Sequence, residues 1–404
     1  MNDGQTDILI VGGGMVGASL AIALSGHGRT VTVLERHPPR APAPPSYDDR
    51  TLALNHTTCN ALRALQVWPL IREATPIRRV HTREEGGFGS VMLEAARHGF
   101  DNFGHVVFAR ELGHGLLQRL EHCGDVRWLQ PAALESLAQD EHGVSAVVEQ
   151  DGQRLQLRAR LLVAADGADS TVARLLQVPA ECTDYGQVAV ISNVSVENGH
   201  RHTGWECLSR QGPFALLPLA GERCGVVWSV PAGTEHELLQ MDEAHFLQRL
   251  QQRFGYRLGR FTRAGRRTAY PLRARVPREI VWHRVLLLGN AAHAVHPLSA
   301  QGFNLGMRDV AVLAEMLCQA GTDDPGQASL LQAYARRRHA DVRRIVRWTD
   351  GMVRLYRQRS PLVAALRQLG LNLTGHAPPL QRRILALTMG LLEQDSPLLR
   401  GESL

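Results

Sequence analysis

The feature that most constrains this chain is a glycine turn between a hydrophobic strand and a helix: Ile8-Leu9-Ile10-Val11-Gly12-Gly13-Gly14-Met15-Val16-Gly17. Gly12 permits the tight turn, Gly14 lets a pyrophosphate approach the backbone, and Gly17 allows helix and strand to pack closely. The phosphates would sit on the unpaired N–H groups and the positive end of the helix. A second strand, over 30–34, runs into Glu35 and Arg36, and Glu35 falls 18 residues past Gly17. A carboxylate there accepts hydrogen bonds from ribose hydroxyls. The turn alone does not separate NAD from FAD, but it requires a parallel α/β sheet around it.

Two further turns follow buried, parallel-type strands. In Leu161-Leu162-Val163-Ala164-Ala165-Asp166-Gly167, an acid–glycine pair closes the strand. That places the carboxylate at the C-terminal edge of the sheet, where open α/β sheets bind ligands. Read in isolation, the same pair is also an ordinary strand-to-helix cap. In Leu286-Leu287-Leu288-Gly289-Asn290-Ala291-Ala292-His293 a strand ends in Gly-Asn. The chain then passes His296 and Pro297 to a helix beginning near Gly302-Phe303-Asn304. The N–H groups at that helix start favour negative charge.

Between these turns the pattern changes. Residues 188–196 alternate strictly, as an antiparallel strand with one exposed face does, and 214–219 and 224–230 continue a β-rich middle. Helical periodicity is read over 57–74, 112–122 and 304–317, and an arginine-rich helical region over 328–392. The fold class is therefore α/β: a Rossmann-like domain interrupted by a β-rich substrate domain, with C-terminal helices. The expected division is 1–75, 106–180 and 270–345 for the Rossmann-like part, 76–105 and 181–269 for the β-rich part, and 346–404 for the C-terminal helices. Phe214 to Leu219, with Trp205 and Trp228, read either as the back of an apolar pocket or as plain sheet core.

All 45 basic residues of the 404 are arginine. Without lysine, Schiff-base catalysis and P-loop phosphate binding are excluded. The net charge of +6 is dispersed, with no aromatic–basic platform for nucleic acid, so an anionic membrane surface is the better partner for this positive charge. Six scattered cysteines form no CxxC pair, which excludes a zinc ribbon and fits a reducing compartment. The first ten residues do not read as a signal peptide, and no apolar run is long enough to span a bilayer. A cytoplasmic protein, peripheral on the inner membrane, is expected.

The three turns, in this order and spacing, resemble the group A FAD-dependent aromatic monooxygenases, the para-hydroxybenzoate hydroxylase-like family. Gly302-Phe303-Asn304-Leu305-Gly306-Met307-Arg308-Asp309 and the late Asp350-Gly351-Met352-Val353-Arg354 are most like its ubiquinone-biosynthesis branch, the 2-polyprenyl-6-methoxyphenol hydroxylases in particular. The resemblance implies FAD as cofactor and NAD(P)H as a transient co-substrate. Reduced flavin would add O2 to form a C4a-hydroperoxide that oxygenates a polyprenylated phenol.

The resemblance also implies residue roles. Glu35 would hold the adenosine ribose, Arg50 the pyrophosphate region, and Arg110 another part of the flavin. Asp166 and Gly167 would serve both nucleotides. Gly289 and Asn290 would meet the ribityl chain, with Asn290 standing where many relatives carry Asp. Pro297, Gly302, Phe303 and Asn304 would line the ring. Ala300 replaces a usual glycine. No catalytic base is assigned, and His293 and His296 are read as structural. Other ubiquinone-biosynthesis proteins are expected partners. The alternatives are a flavin hydroxylase of a small soluble aromatic, or a non-catalytic prenyl-binding protein of the same fold.

Overall fold

The computed structural model describes residues 4–38, 50–296, 298–321 and 323–404. Its first sheet has five parallel strands in the spatial order Val126–Leu129, Val31–Leu34, Gln5–Val11, Gln153–Ala164 and Val285–Leu287. These segments are continuous apolar runs because both sheet faces are covered; Ile8, Leu9, Ile10 and Leu161 to Ala164 are completely buried. An antiparallel hairpin, Ala133–Asp140 and Gly143–Gln150, extends from Gln153–Ala164. From the central strand the chain first builds outward through Val31–Leu34, and later returns on the opposite side. A crevice therefore opens at the C-terminal ends of Gln5–Val11 and Gln153–Ala164.

Helix Met15–Leu24 is buried from Gly17 to Leu24. It is apolar all round because it lies between the sheet and helix Gln301–Gln319.

The second sheet runs Phe261–Ala264, Ala180–Val196, Arg223–Pro231, Phe214–Leu219, Thr203–Leu208, Arg79–Glu84 and Ser90–Glu94, with Thr268–Pro277 also paired to Ala180–Val196. One face packs on helix Glu243–Phe254, whose Phe246, Leu250 and Phe254 join Phe214, Leu216, Val226 and Trp228 in one core. Asp242 caps that helix by accepting from the His245 amide at 2.9 Å. A three-stranded sheet, Thr51–Asn55, Gly104–Phe108 and Ala74–Pro76, lies at the junction of the two large ones.

The structure departs from the sequence reading in four places. The helix read over 57–74 is only His56–Ala64; Gln66 turns left-handed at φ 59°, Pro69 opens a short 3-10 turn, and Ala74–Pro76 is a strand. Thr268–Pro277 belongs to the second sheet, so the parallel sheet resumes at Val281–Trp282 and Val285–Leu287 rather than near residue 270. The middle also holds helices Glu235–Gln240 and Glu243–Phe254, which the β-rich reading did not anticipate. Finally, the C-terminal region is three helices, Ala328–Arg357, Pro361–His376 and Pro378–Thr388, the second and third each starting at a proline that lacks the N–H to continue the helix before it.

Candidate active site

The three turns meet at one edge of the parallel sheet. Gly12 follows the central strand with φ 104°, and a side chain there would lie 2.6 Å from the Ala165 carbonyl oxygen. On Gly17 a methyl would lie 2.0 Å from the Gly12 carbonyl oxygen, so helix and turn touch backbone to backbone. Gly14, which has no side chain to cap with, is the N-cap, and no acid occupies the first turn. The helix's positive end is thus left to whatever ligand the turn receives.

Glu35 is 8% exposed and braces this turn: its Oε2 accepts from the Gly13 amide at 3.0 Å and its Oε1 from the His37 amide at 2.8 Å. Arg36 points to solvent and donates to the His37 ring.

The second turn supplies Asp166. Its Oδ2 accepts from the Thr171 amide at 2.7 Å and from the Val172 amide at 3.3 Å, capping helix Thr171–Leu175. Its Oδ1 is buried and has no hydrogen-bond partner among the described residues. Burial pushes the carboxyl's pKa up despite those amide bonds. Gly167 adopts φ 87° with open space beside it, so its role is conformational.

The third turn joins the first through Val16: side chains on Gly289 and Gly306 would lie 3.1 Å and 2.9 Å from Val16 methyls. Asn290 is exposed, and its Oδ1 lies 3.8 Å from where a Gly302 side chain would start. Ala300 stands at the N-cap of Gln301–Gln319 in the left-handed region, φ 51°, a conformation that favours the glycine it replaces. Phe303 is partly buried against the main core.

Asn304 is buried, and its amide is fully occupied by protein. It donates to the carbonyls of Ala53 and Ala300, both at 2.9 Å, and accepts from the Asn55 amide at 2.9 Å. It ties the helix to the small sheet. Pro297 lies outside the described residues. Arg50 stacks over Tyr270, 4.9 Å from the ring centroid, and its carbonyl accepts from the Ala109 amide. Arg110 is exposed over Phe108 at 4.8 Å. These two arginines therefore flank the small sheet.

Sequence reasoning missed the framework behind the third turn. Asp309 Oδ2 accepts from the Gly289 amide at 3.0 Å and from His293 Nε2, and its Oδ1 accepts from Arg338 Nε at 2.7 Å. Arg338 and Arg308 both donate to Asp341, at 2.8 Å and 2.7 Å, and Arg308 also reaches Gln301. All these residues are at most 1% exposed. Two carboxylates face two guanidiniums and the His293 ring; against its burial, the Asp309 carboxyl is held down at about 2 by His293 and Arg338 beside it. Nothing in the helical periodicity distinguished Arg338 and Asp341 from surface charges.

The aromatic residues of the middle face away from the turns. Trp205 packs on Phe254 and Trp228 on Phe214, in the core beneath helix Glu243–Phe254, so they belong to the sheet core on the side away from the turns.

A fold of this kind, with three turns converging at the sheet edge, defines a dinucleotide-binding α/β protein. The chain belongs to the FAD-binding domain family, whose pattern matches residues 5–349. Ubiquinone hydroxylase UbiL of Rhodospirillum rubrum is 36% identical over 99% of this chain and 94% of its own length. The 3-demethoxyubiquinol 3-hydroxylase of Escherichia coli K12 is 32% identical over 97% of this chain and all of its own. The crystal structure of p-nitrophenol 4-monooxygenase PnpA from Pseudomonas putida DLL-E4 has the same fold, with a TM-score of 0.79 over 97% of this chain and 99% of that one at 20% identity.

The residues fit FAD. The glycine cradle has no room for side chains at Gly12 and Gly17, the helix start has no side-chain cap, and Asp166 keeps a buried oxygen without a partner among the described residues. The protein is an FAD-dependent monooxygenase.

Proposed function

We propose that this enzyme hydroxylates the aromatic ring of a polyprenylated phenol in ubiquinone biosynthesis, using NAD(P)H and O2. The observation that carries the reading is the end-to-end similarity to a ubiquinone hydroxylase, 36% identical over 99% of the chain. Bound FAD supplies the electron transfer and oxygen activation; the chain holds, orients and encloses. Gly12, Gly14 and Gly17 would receive the pyrophosphate, Glu35 and Arg36 the ribose end, and Arg50 and Arg110 the cofactor's flank. Asp166, Gly167, Gly289 and Asn290 would line its middle. Pro297, Gly302, Phe303 and Asn304 would set the ring edge, with Asn304 acting as a brace.

A membrane surface is the proposed source of the substrate. Helix Pro361–His376 turns Arg367 and Thr374 inward and leaves Leu362, Leu366, Leu369 and Leu373 at 50–69% exposed, on one face. Between Asp350 and Glu393 the chain has six arginines and no acid, with Arg357, Arg359, Arg382 and Arg383 exposed. Apolar face and cationic rim together suit an anionic bilayer surface. Among the described residues no helix is long and apolar enough to cross a membrane.

The test is turnover of purified enzyme with NADPH, oxygen-18 and a short-chain prenylated methoxyphenol. A hydroxylated product carrying the heavy isotope is expected. NADPH oxidation without any hydroxylated prenyl phenol would overturn the reading.

A further inference from the structure

The face of the second sheet opposite helix Glu243–Phe254 is an apolar wall holding an unusual carboxylate. One row of paired residues crosses six strands: Ile191, Val227, Ala215, Glu206, Thr82 and Val91. Paired neighbours share a sheet face, so Glu206 is the single ionisable side chain in this row. Ile191, Val227, Ala215, Glu206 and Thr82 all retain some exposure, whereas Phe214, Leu216, Val226 and Trp228 on the other face are fully packed.

The wall faces the turns. Leu208, two residues along from Glu206, packs on Leu298 and Tyr356, next to the start of helix Gln301–Gln319. Gly225 lies so close to Thr51 that a side chain on it would meet the Thr51 methyl at 2.8 Å. The strand that starts with Thr51 is bound to Asn304.

Glu206 has a hydrogen bond from Thr82 and, among the described residues, no cation beside it; burial pushes its carboxyl up to about 7. The nearest charged groups account for themselves. Glu84 is neutralised by Arg367, which donates to it at 2.6 Å and stacks on Tyr356, and Tyr356 is held neutral by burial. A carboxyl poised near neutrality on the sheet face turned toward the glycine turns suits proton transfer better than structural filling.

We propose that Glu206 is the acid–base residue of the hydroxylation, accepting the substrate's phenolic proton. The O–H bond breaks with its electron pair left on the phenol oxygen, a proton joins a Glu206 carboxylate oxygen, and the ring becomes the stronger nucleophile toward the oxygen that the FAD-dependent reaction delivers. As aromaticity returns the ring C–H proton passes to solvent water, and Glu206 gives its own proton back to the product phenolate. No redox change falls on the protein.

This inference rests on the phenol-hydroxylating reading above. The test compares wild type with Glu206→Gln and Glu206→Asp, both loaded with FAD. For Glu206→Gln the expectation is a fall in hydroxylation kcat of tenfold or more, with NADPH oxidation continuing uncoupled and the rise in rate near pH 7 abolished. Fluorinated phenols of lower pKa should restore part of the rate, and Glu206→Asp should retain more activity than Glu206→Gln. Unchanged kcat and pH profile in Glu206→Gln, or an equal loss on all phenols whatever their acidity, would overturn the proposal. If wild type itself hydroxylates no prenylated phenol, the functional reading fails instead. If Glu206→Gln does not bind FAD, the pH profile of Glu206→Asp decides, because a shorter carboxylate must keep a titration that moves with it.

Discussion

At the residue scale the site depends on what its glycines leave out. Gly17 has no room for a methyl, because the Gly12 carbonyl lies where it would go. Overpacking a tight contact typically costs about 1–3 kcal/mol, and here the displaced atoms are the turn itself. Gly17→Ala is therefore expected to fold but to purify without yellow flavin; full flavin absorbance in that variant would contradict the role given to the turn. Glu35 illustrates a different point. The sequence places it at the end of the second strand, but its carboxylate is already engaged with the Gly13 and His37 amides. Those bonds set its position before any ribose arrives. Spacing revealed the residue, but only coordinates reveal its partners.

At the element scale, helices Gln301–Gln319 and Ala328–Arg357 are locked to the third turn by the buried Asp309–Arg338–Asp341–Arg308 network. Removing one member leaves an uncompensated buried charge, which costs about 3–5 kcal/mol. Asp341→Asn should lower unfolding free energy by that amount in denaturant melts, with loss of flavin following from the displaced turn. A change below about 1 kcal/mol would mean that the network is not what holds the helices together.

Protonation adds a separate dependence. His296 is fully buried against Tyr185 with Nδ1 accepting from the Leu298 amide, and burial pushes it down to about 4. The unfolded chain, with an ordinary histidine near 6.5, therefore binds a proton that the native state refuses between pH 6.5 and 4. Stability falls as pH falls through that window, by about 2 kcal/mol between pH 7 and 5 for this residue. His105, also pushed down to about 4 by burial, acts in the same direction. Asp309 acts in the same direction over a lower window: its stabilisation is present above about pH 4 and is lost only as pH drops toward 2. His296→Asn, which retains an acceptor for the Leu298 amide, should flatten the slope of melting temperature between pH 7 and 5. An unchanged slope would remove His296 from this account.

At the scale of the whole molecule, the plan was legible because its signals are periodic or stereochemical. Apolar runs gave the parallel strands, glycine turns gave the ligand edge, and strict alternation over 188–196 gave the second sheet. What stayed hidden arises from pairing across the chain. Glu206 becomes notable only once Thr82 and Ala215 lie beside it, and Trp205, Phe214 and Trp228 are core only because helix Glu243–Phe254 covers their face. The end of His56–Ala64 was misread for a related reason: the apolar spacing continues into 65–74, but Gln66 and Pro69 stop the helix.

The exposed leucines of Pro361–His376 belong to this scale too, since only the packed molecule shows which face is left open. Flotation with anionic vesicles should be lost in Leu366→Asp/Leu373→Asp without loss of flavin, and flotation equal to wild type would exclude that helix as the membrane contact.

The most direct test of the central claim, that three sequence-distant turns grip one FAD beneath an apolar sheet wall, is a crystal structure of the FAD-loaded enzyme. The account predicts the adenosine ribose at Glu35, the pyrophosphate over Gly12 to Gly17 and the ring system between Gly302 and the Ala215–Glu206 row. Density for FAD at another surface, or at the glycine turn with its ring system turned away from that row, would contradict it.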